Sequence, residues 1–290
     1  MTLEGKKYSI DIYIKAEHLL GFFVLISPLN KNKAMIRSMI LLLSLPFVMQ
    51  GQNSIKCTTS EIKKKYFEEH PKDKLEREWL NEESRLAEFN KTAVSTSITI
   101  PIVFHVNDPT NPQKVTLAQV QSAVDILNED YNGLNPEFNS LRPEFQGIAS
   151  NFEINFCLAS IDPDGNSTNG ITYHYNSYNG REPNGSGGAV KGVSVWPCDK
   201  YLNVWIVNEV EDDGDLYYSG WAFYPSTSLA DQGLDGIVYN HRYLGYGEGS
   251  SDVSGPTSWQ AKMARVLTHE VGHYLNLMHT FANYCTSPGD

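Results

Sequence analysis

H-E-V-G-H-Y-L-N-L-M-H, His269 to His279, is the stretch on which the reading of this chain turns. His269 and His273 are four residues apart, so on a helix both imidazoles project from one face, one turn above the other. Two ring nitrogens so placed reach a single metal ion at about 2.0–2.1 Å, the length of a zinc–histidine bond. Glu270 stands beside the first histidine, where its carboxylate can hold a water against the metal without ligating it. His279, six residues past His273, supplies a third nitrogen after the chain has turned. Three protein ligands leave one position open, which is the coordination of a catalytic zinc, so Zn2+ is the expected cofactor. Three of the eight histidines fall at this spacing, which sets it apart from an amphipathic core helix with incidental histidines.

A third histidine at this offset fits the metzincin pattern H-E-x-x-H-x-x-G-x-x-H. Asn276 stands where most metzincins carry Gly, at the point where the helix must end. The turn there needs a positive φ, which Asn adopts more easily than other non-glycine residues. The whole segment R-V-L-T-H-E-V-G-H-Y-L-N-L-M-H-T-F, Arg265 to Phe281, resembles the pappalysin family of metzincins, its bacterial cytophagalysin-like branch in particular. Four other stretches resemble the same family: I-P-I-V-F-H-V (Ile100 to Val106), L-N-E-D-Y (Leu127 to Tyr131), I-N-F-C-L-A-S-I-D-P-D-G (Ile154 to Gly165) and K-Y-L-N-V-W-I-V (Lys200 to Val207). The resemblance implies a secreted zinc endopeptidase, with Glu270 as general base and a protein or peptide as substrate.

Some pappalysin-family zymogens carry an R-C-G-T-like cysteine switch, and K-C-T-T around Cys57 is similar. The resemblance thus implies that Cys57 is a zinc ligand in a latent form, with Thr58 in place of Gly. Metzincins continue past the third histidine into a lower subdomain with a Met-turn, whereas this chain ends eleven residues after His279. The expectation is a protease truncated after its zinc motif. The alternative is an inactive zinc-binding fragment that acts only as a binding module. Gluzincins take a downstream Glu as third ligand, and no Glu follows Glu270. A closed structural zinc site, with Cys285 as fourth ligand, would leave Glu270 without a purpose.

The 290 residues carry a net charge of −11, which argues against nucleic acid or an anionic membrane as partner. Lys31, Lys33 and Arg37 precede the apolar run Met39 to Met49, a signal peptide in pattern and too short to span a membrane. Residues 1–51 therefore read as an upstream extension plus signal peptide, with Met35 as the start that gives it ordinary length. No stable membrane span is expected after its removal. Residues 52–95 are highly charged, with opposite charges three and four apart and a break at Pro71; they read as solvated helices of a pro-segment. Residues 96–290 read as the N-terminal part of a metzincin catalytic domain.

Within that domain Ser97 to Val106 is rich in β-branched residues and reads as a strand. Thr116 and Gln119 form a candidate capping box for a helix with Leu117, Val120, Val124, Leu127 and Tyr131 on one face, stopping near Asn132-Gly133. Further strands are expected at Phe152–Ser160, Leu202–Asn208, Gly220–Pro225 and Asp235–Asn240, with a short one near Ile171–Tyr175 in a loop region. Thr257 and Gln260 offer another capping box for a helix over about 258–275 that carries the histidines. The order predicts an α/β (α+β) fold, the metzincin upper subdomain: a twisted, mixed five-stranded sheet with a backing helix and an active-site helix packed on one side. Gly220–Pro225 is the candidate edge for an extended substrate. The four cysteines suit an exported protein, and Cys157 and Cys198 flank two strands expected to be neighbours, which predicts a disulfide between them.

Overall fold

The structure, a computed structural model, describes residues 56–89, 97–180, 188–211, 214, 216–247 and 263–279, without the side chains of 84–89. The signal segment, the Thr257/Gln260 cap, Phe281 and Cys285 lie outside the described residues. In chain order the main elements are β1 (Lys56–Cys57), α1 (Thr59–Glu69), α2 (Pro71–Phe89), β2 (Ile98–Asn107), α3 (Leu117–Tyr131), α4 (Pro143–Gln146), β3 (Ile154–Leu158), β4 (Ile171–His174), α5 (Gly188–Gly192), β5 (Leu202–Val207), β6 (Tyr218–Ala222), α6 (Thr227–Asp231), β7 (Ile237–Asn240) and α7 (Val266–Tyr274).

Most elements sit where the pattern places them. Pro71 opens α2, a first-turn position where its missing N–H costs nothing. Thr116 caps α3 by accepting from the Gln119 N–H at 3.2 Å. The box is only half made, because the Gln119 side chain donates instead to the Leu244 carbonyl at 2.9 Å. Val120, Val124, Leu127 and Tyr131 are buried against the sheet, while Leu117 at the helix start is exposed. Gly133, with φ +64°, ends the helix as the Asn-Gly pair predicts.

The sheet runs β1-β6-β7-β5-β2-β3, with β4 also paired to β2. All pairings are parallel except β6–β7. β2 is the organising strand: β3 lies beside its first half and β4 beside its second half, with β5 on the opposite edge from Ile102 onward. Pro101 falls where only β3 flanks β2, so a residue without an N–H is tolerated there.

Three expectations need correction. The sheet has seven strands rather than five; β4 is a full member, and the charged upstream segment contributes β1. Helices do not cover one face alone. α3 and α7 pack on the first face with Phe104, Leu127, Val204, Leu267 and Val271. The second face carries its own core of Trp205, Trp221, Phe223, Val190 and Leu229, which Ile62 and Tyr66 of α1 complete. Finally, Cys157 and Cys198 are both free thiols. β2 separates their strands: Pro101 pairs with Cys157 on one side and Ile102 with Leu202 on the other. Strands two apart are about 10 Å apart, beyond the roughly 7 Å between Cα atoms that a disulfide can bridge. Cys198 Sγ lies 3.8 Å from the Asp235 carbonyl instead.

The second face also buries polar groups. Lys191 is fully buried, its ammonium 4.4 Å from the Trp221 ring centre and 4.6 Å from that of Phe223, and it donates to the Leu234 carbonyl. Burial draws its pKa down to about 7. His105, in the middle of β2, stacks on Trp205 with Trp196 at its edge. Its Nε2–H donates to Asn203 Oδ1 at 2.9 Å, and its Nδ1 accepts from the Thr172 hydroxyl at 2.8 Å, which in turn bonds His174 Nε2 at 2.8 Å. Every site on this ring is satisfied in the neutral form.

Burial, aided by the nearby His174, holds the His105 pKa down to about 4 against the opposing Asn203 bond. A depressed folded-state pKa means stability that is present above the unfolded value, near 6.5, and lost as pH falls through about 4. The shift corresponds to about 3 kcal/mol. Denaturant unfolding at pH 7.5 and 4.5 should show this loss, and His105→Gln should remove most of it. Equal pH dependence in the two proteins would mean that the fold does not depress the His105 pKa.

Candidate metal and active site

α7 is built by two faces of one sequence. Leu267 and Val271 are buried in the first core, and His269 and His273 project from an adjacent face. The helix ends in a Schellman motif: Leu277 N–H bonds the Gly272 carbonyl at 2.8 Å and Asn276 N–H bonds the His273 carbonyl at 2.9 Å. Asn276 has φ +83°, the left-handed conformation expected of this position. The reversal brings His279 back to the histidine pair.

The three Nε2 atoms converge. They are 3.0 Å apart for His269–His273 and 3.1 Å for each of the other two pairs. Cys57 Sγ joins them at 3.6 Å from His273 Nε2, and all four donor atoms lie within 4.8 Å of one another. A tetrahedron with nitrogen bonds of 2.0–2.1 Å and a sulfur bond of 2.3 Å has edges of about 3.3 Å and about 3.6 Å. The three nitrogen–nitrogen edges and the Cys57–His273 edge fit a tetrahedral ion to within a few tenths of an ångström. Tautomers agree: His273 Nδ1–H donates to the Leu277 carbonyl at 2.7 Å, so its Nε2 carries a lone pair into the centre. Burial lowers the pKa of all three imidazoles, that of His273 to about 4. Neutral lone pairs pointed at one spot repel unless a cation sits between them.

Glu270 is fully buried at the same centre. Oε2 accepts from the Thr59 hydroxyl at 3.3 Å and lies 3.7 Å from Cys57 Sγ, while Oε1 has no partner. Burial pushes the carboxyl up to about 8, against the lowering by these two bonds. Burial and then the Glu270 charge push the Cys57 thiol up as well. A cation in the centre inverts that preference, because a coordinating thiol is deprotonated.

The upstream segment supplies more than Cys57. β1 lies parallel to β6, Cys57 opposite Gly220, on the edge singled out for strand addition. A side chain at Gly220 would fall 2.6 Å from the Val238 carbonyl of β7, so glycine there lets β6 lie close to β7. Thr59 Oγ1 also accepts from the Ala222 N–H at 3.1 Å, bridging the rim strand to Glu270. Ser60 Oγ lies 3.1 Å from His279 Nδ1. Arg77 stacks on the Tyr224 ring at 4.0 Å, and that ring meets His273 edge-on at 5.6 Å. Thr59 and Ser60 escaped the sequence reading, which followed the thiol alone. Their adjacency to Cys57 at a helix start was the available signal. Beside His269 a cavity of about 390 Å³ is lined in part by Asp130, Tyr131, Phe152, Thr268, Leu277 and Met278. Leu277 is exposed there and Met278 half-buried.

A family model described as pregnancy-associated plasma protein-A, peptidase M43, matches residues 189–290. Mature mirolysin of Tannerella forsythia, solved with a cleaved peptide, is 31% identical with a TM-score of 0.55, the match covering 65% of this chain and 67% of that one. The chain belongs to the pappalysin family of metalloproteases. A Tannerella forsythia promirolysin mutant is similar over 79% of this chain and 71% of its own, at 27% identity and a TM-score of 0.61. An extracellular metalloprotease of Colletotrichum graminicola is 49% identical over 41 residues, 14% of this chain; the match spans only 15% of that relative's length. Pappalysin membership accounts for the mixed α/β fold and for a metal-binding histidine cluster. Among the described residues no helix is long and apolar enough to cross a membrane.

The left-handed turn at Asn276 is testable. Its side-chain oxygen is buried without a partner. Asn276→Gly should be neutral or stabilise the fold by up to about 1 kcal/mol, and Asn276→Ala should cost about 1–2 kcal/mol. Thermal melts of the two variants decide it. Equal stability of Ala and Gly would show that the turn relaxes out of the left-handed region.

Proposed function

We propose that this protein is an exported zinc endopeptidase made as a zymogen, with His269, His273 and His279 holding the metal and Glu270 as general base. The observation that carries this is the convergence of three Nε2 atoms at 3.0–3.1 Å beside a buried carboxylate. Residues 1–51 then act as extension and signal peptide, 52–95 as pro-segment and 96–290 as the catalytic part. The substrate is an extended peptide. Mirolysin, caught with a cleaved peptide, supports that class by analogy.

A bound zinc lowers the pKa of water toward about 7 and polarises the scissile carbonyl. Glu270 Oε2 takes the proton of the attacking water and passes it to the leaving amine. Its enclosure keeps bulk water from competing for that proton. A peptide backbone adds to the edge of β6 in the place that β1 holds in this structure.

Latency follows from the same contacts. Cys57 takes the fourth corner of the tetrahedron, Thr59 occupies Glu270, and β1 fills the rim. Cys57 sits just ahead of α1, whose N-terminus favours a thiolate. Cys57→Ala should therefore speed autoactivation and raise zymogen activity. Glu270→Ala should abolish peptide hydrolysis while leaving about one zinc per chain. Loss of zinc in that variant would make Glu270 a ligand and overturn its role as base. Unchanged latency in Cys57→Ala would assign the block to Thr59 and the bulk of the segment.

A further inference from the structure

The stretch L-N-E-D-Y, Leu127 to Tyr131, stands out in the sequence and has no part in the chemistry described so far. It lies at the C-terminal end of α3, beside the first turn of α7. The three histidines differ in how their rings are held. His273 is fixed through Nδ1 by the Leu277 carbonyl at 2.7 Å, and His279 through Nδ1 by Ser60 Oγ at 3.1 Å. His269 is the exposed one, and among the described residues its Nδ1 has no hydrogen-bond partner. A ligand without that second anchor depends on its backbone for direction.

Thr268, just before His269, is held at two points by the end of α3. Thr268 Oγ1 donates to Asp130 Oδ2 at 2.6 Å, and the Thr268 carbonyl accepts from Tyr131 Oη at 3.3 Å. The other Asp130 oxygen accepts from Arg265, the residue that precedes α7, and from Asn135 Nδ2 at 2.7 Å. One carboxylate thus spans residues 265 and 268, the turn that carries His269. We propose that Asp130 is a positioning residue for His269, acting through Thr268. It fixes the rotation and height of α7, and so where the unanchored imidazole points.

Magnitudes favour such a device. Ring nitrogens lie some 6 Å from a helix axis, so a 10° turn of α7 displaces one by roughly 1 Å. A metal site tolerates only about 0.2 Å in its bond lengths. Core packing of Leu267 and Val271 alone does not hold rotation that tightly, because apolar contacts are non-directional.

This role rests on the metal reading of the three histidines, and the test separates the two. Cobalt-loaded protein is compared with Thr268→Val, Asp130→Ala, Asp130→Asn and Thr268→Ser, by chelator competition and by the d–d absorption of the ion. Thr268→Val is nearly isosteric and leaves the Asp130–Arg265 pair intact, so it folds even where Asp130→Ala does not. Thr268→Val and Asp130→Ala should weaken cobalt binding about 10- to 100-fold and change the band shape. Thr268→Ser keeps the hydroxyl–oxygen bond and should bind within a few-fold of wild type, whereas Asp130→Asn turns an NH2 donor toward Arg265 or Thr268 and should fall between wild type and Asp130→Ala, as order-of-magnitude expectations. Wild-type affinity and spectrum in Thr268→Val, with only a lower melting temperature, would overturn the positioning role and leave the metal reading standing. A wild-type protein that binds neither zinc nor cobalt would overturn both.

Discussion

The backbone of Leu277 is the constraint on which the site depends. Its N–H closes the Schellman motif on Gly272, and its carbonyl accepts from His273 Nδ1. One residue thereby ends the helix, turns the chain toward His279 and sets the tautomer of the middle ligand. The geometry is possible because Asn276 takes the left-handed conformation just before it. A helix that ran on for another turn would carry His279 away from the pair, since a residue six on lies about 120° round the axis and about 9 Å along it. Whether two imidazoles or three converge is therefore decided by how the helix stops.

The upstream segment is held by more than the centre of the site. Ile62 and Tyr66 complete a hydrophobic core on the far face of the sheet. Glu76 accepts from Thr227 N–H at 3.1 Å, from the Thr227 hydroxyl at 2.6 Å and from Ser226 at 3.2 Å. These anchors lie away from the histidines. On the proposed reading they deliver Cys57 and Thr59 to the metal and to Glu270 at high effective concentration, so neither contact has to be strong by itself. The exposed faces of the same helices, with Leu75 and Trp79 in solvent, explain why the sequence read as solvated helices without a core of their own.

What could be read from the sequence was local. Spacing of three and four gave α3 with its Thr116 cap, and β-branched runs gave β2, β5 and β7. The histidine string gave the turn at Asn276, because backbone conformation is a property of one residue and its neighbours. Strand order was not legible. Periodicity tells which side of a strand is apolar, not which strand lies next to it. The proposed Cys157–Cys198 bridge failed on that point, since β2 serves β3 and β5 on opposite edges. The seventh strand was hidden for a related reason: two residues, Lys56 and Cys57, have no pattern, and become a strand only because β6 has a free edge. Asp130 was invisible too, as a carboxylate at a helix end reads as solvated until its partner on α7 is known.

The cluster couples metal, thiol and fold in one equilibrium. Without a cation, burial and the Glu270 charge keep Cys57 protonated, and a protonated thiol is a poor match for three converging lone pairs. On the proposed reading, a bound cation makes the thiolate a strong ligand and removes the mismatch. By linkage, whatever free energy the ion gains from Cys57 is gained equally by docking of the upstream segment. On the proposed reading, a zymogen that has loaded its metal is thus better closed than one that has not. Premature activity and premature metal loss are then opposed by the same bond, and opening the segment must overcome a coordination bond as well as the apolar anchor at Tyr66.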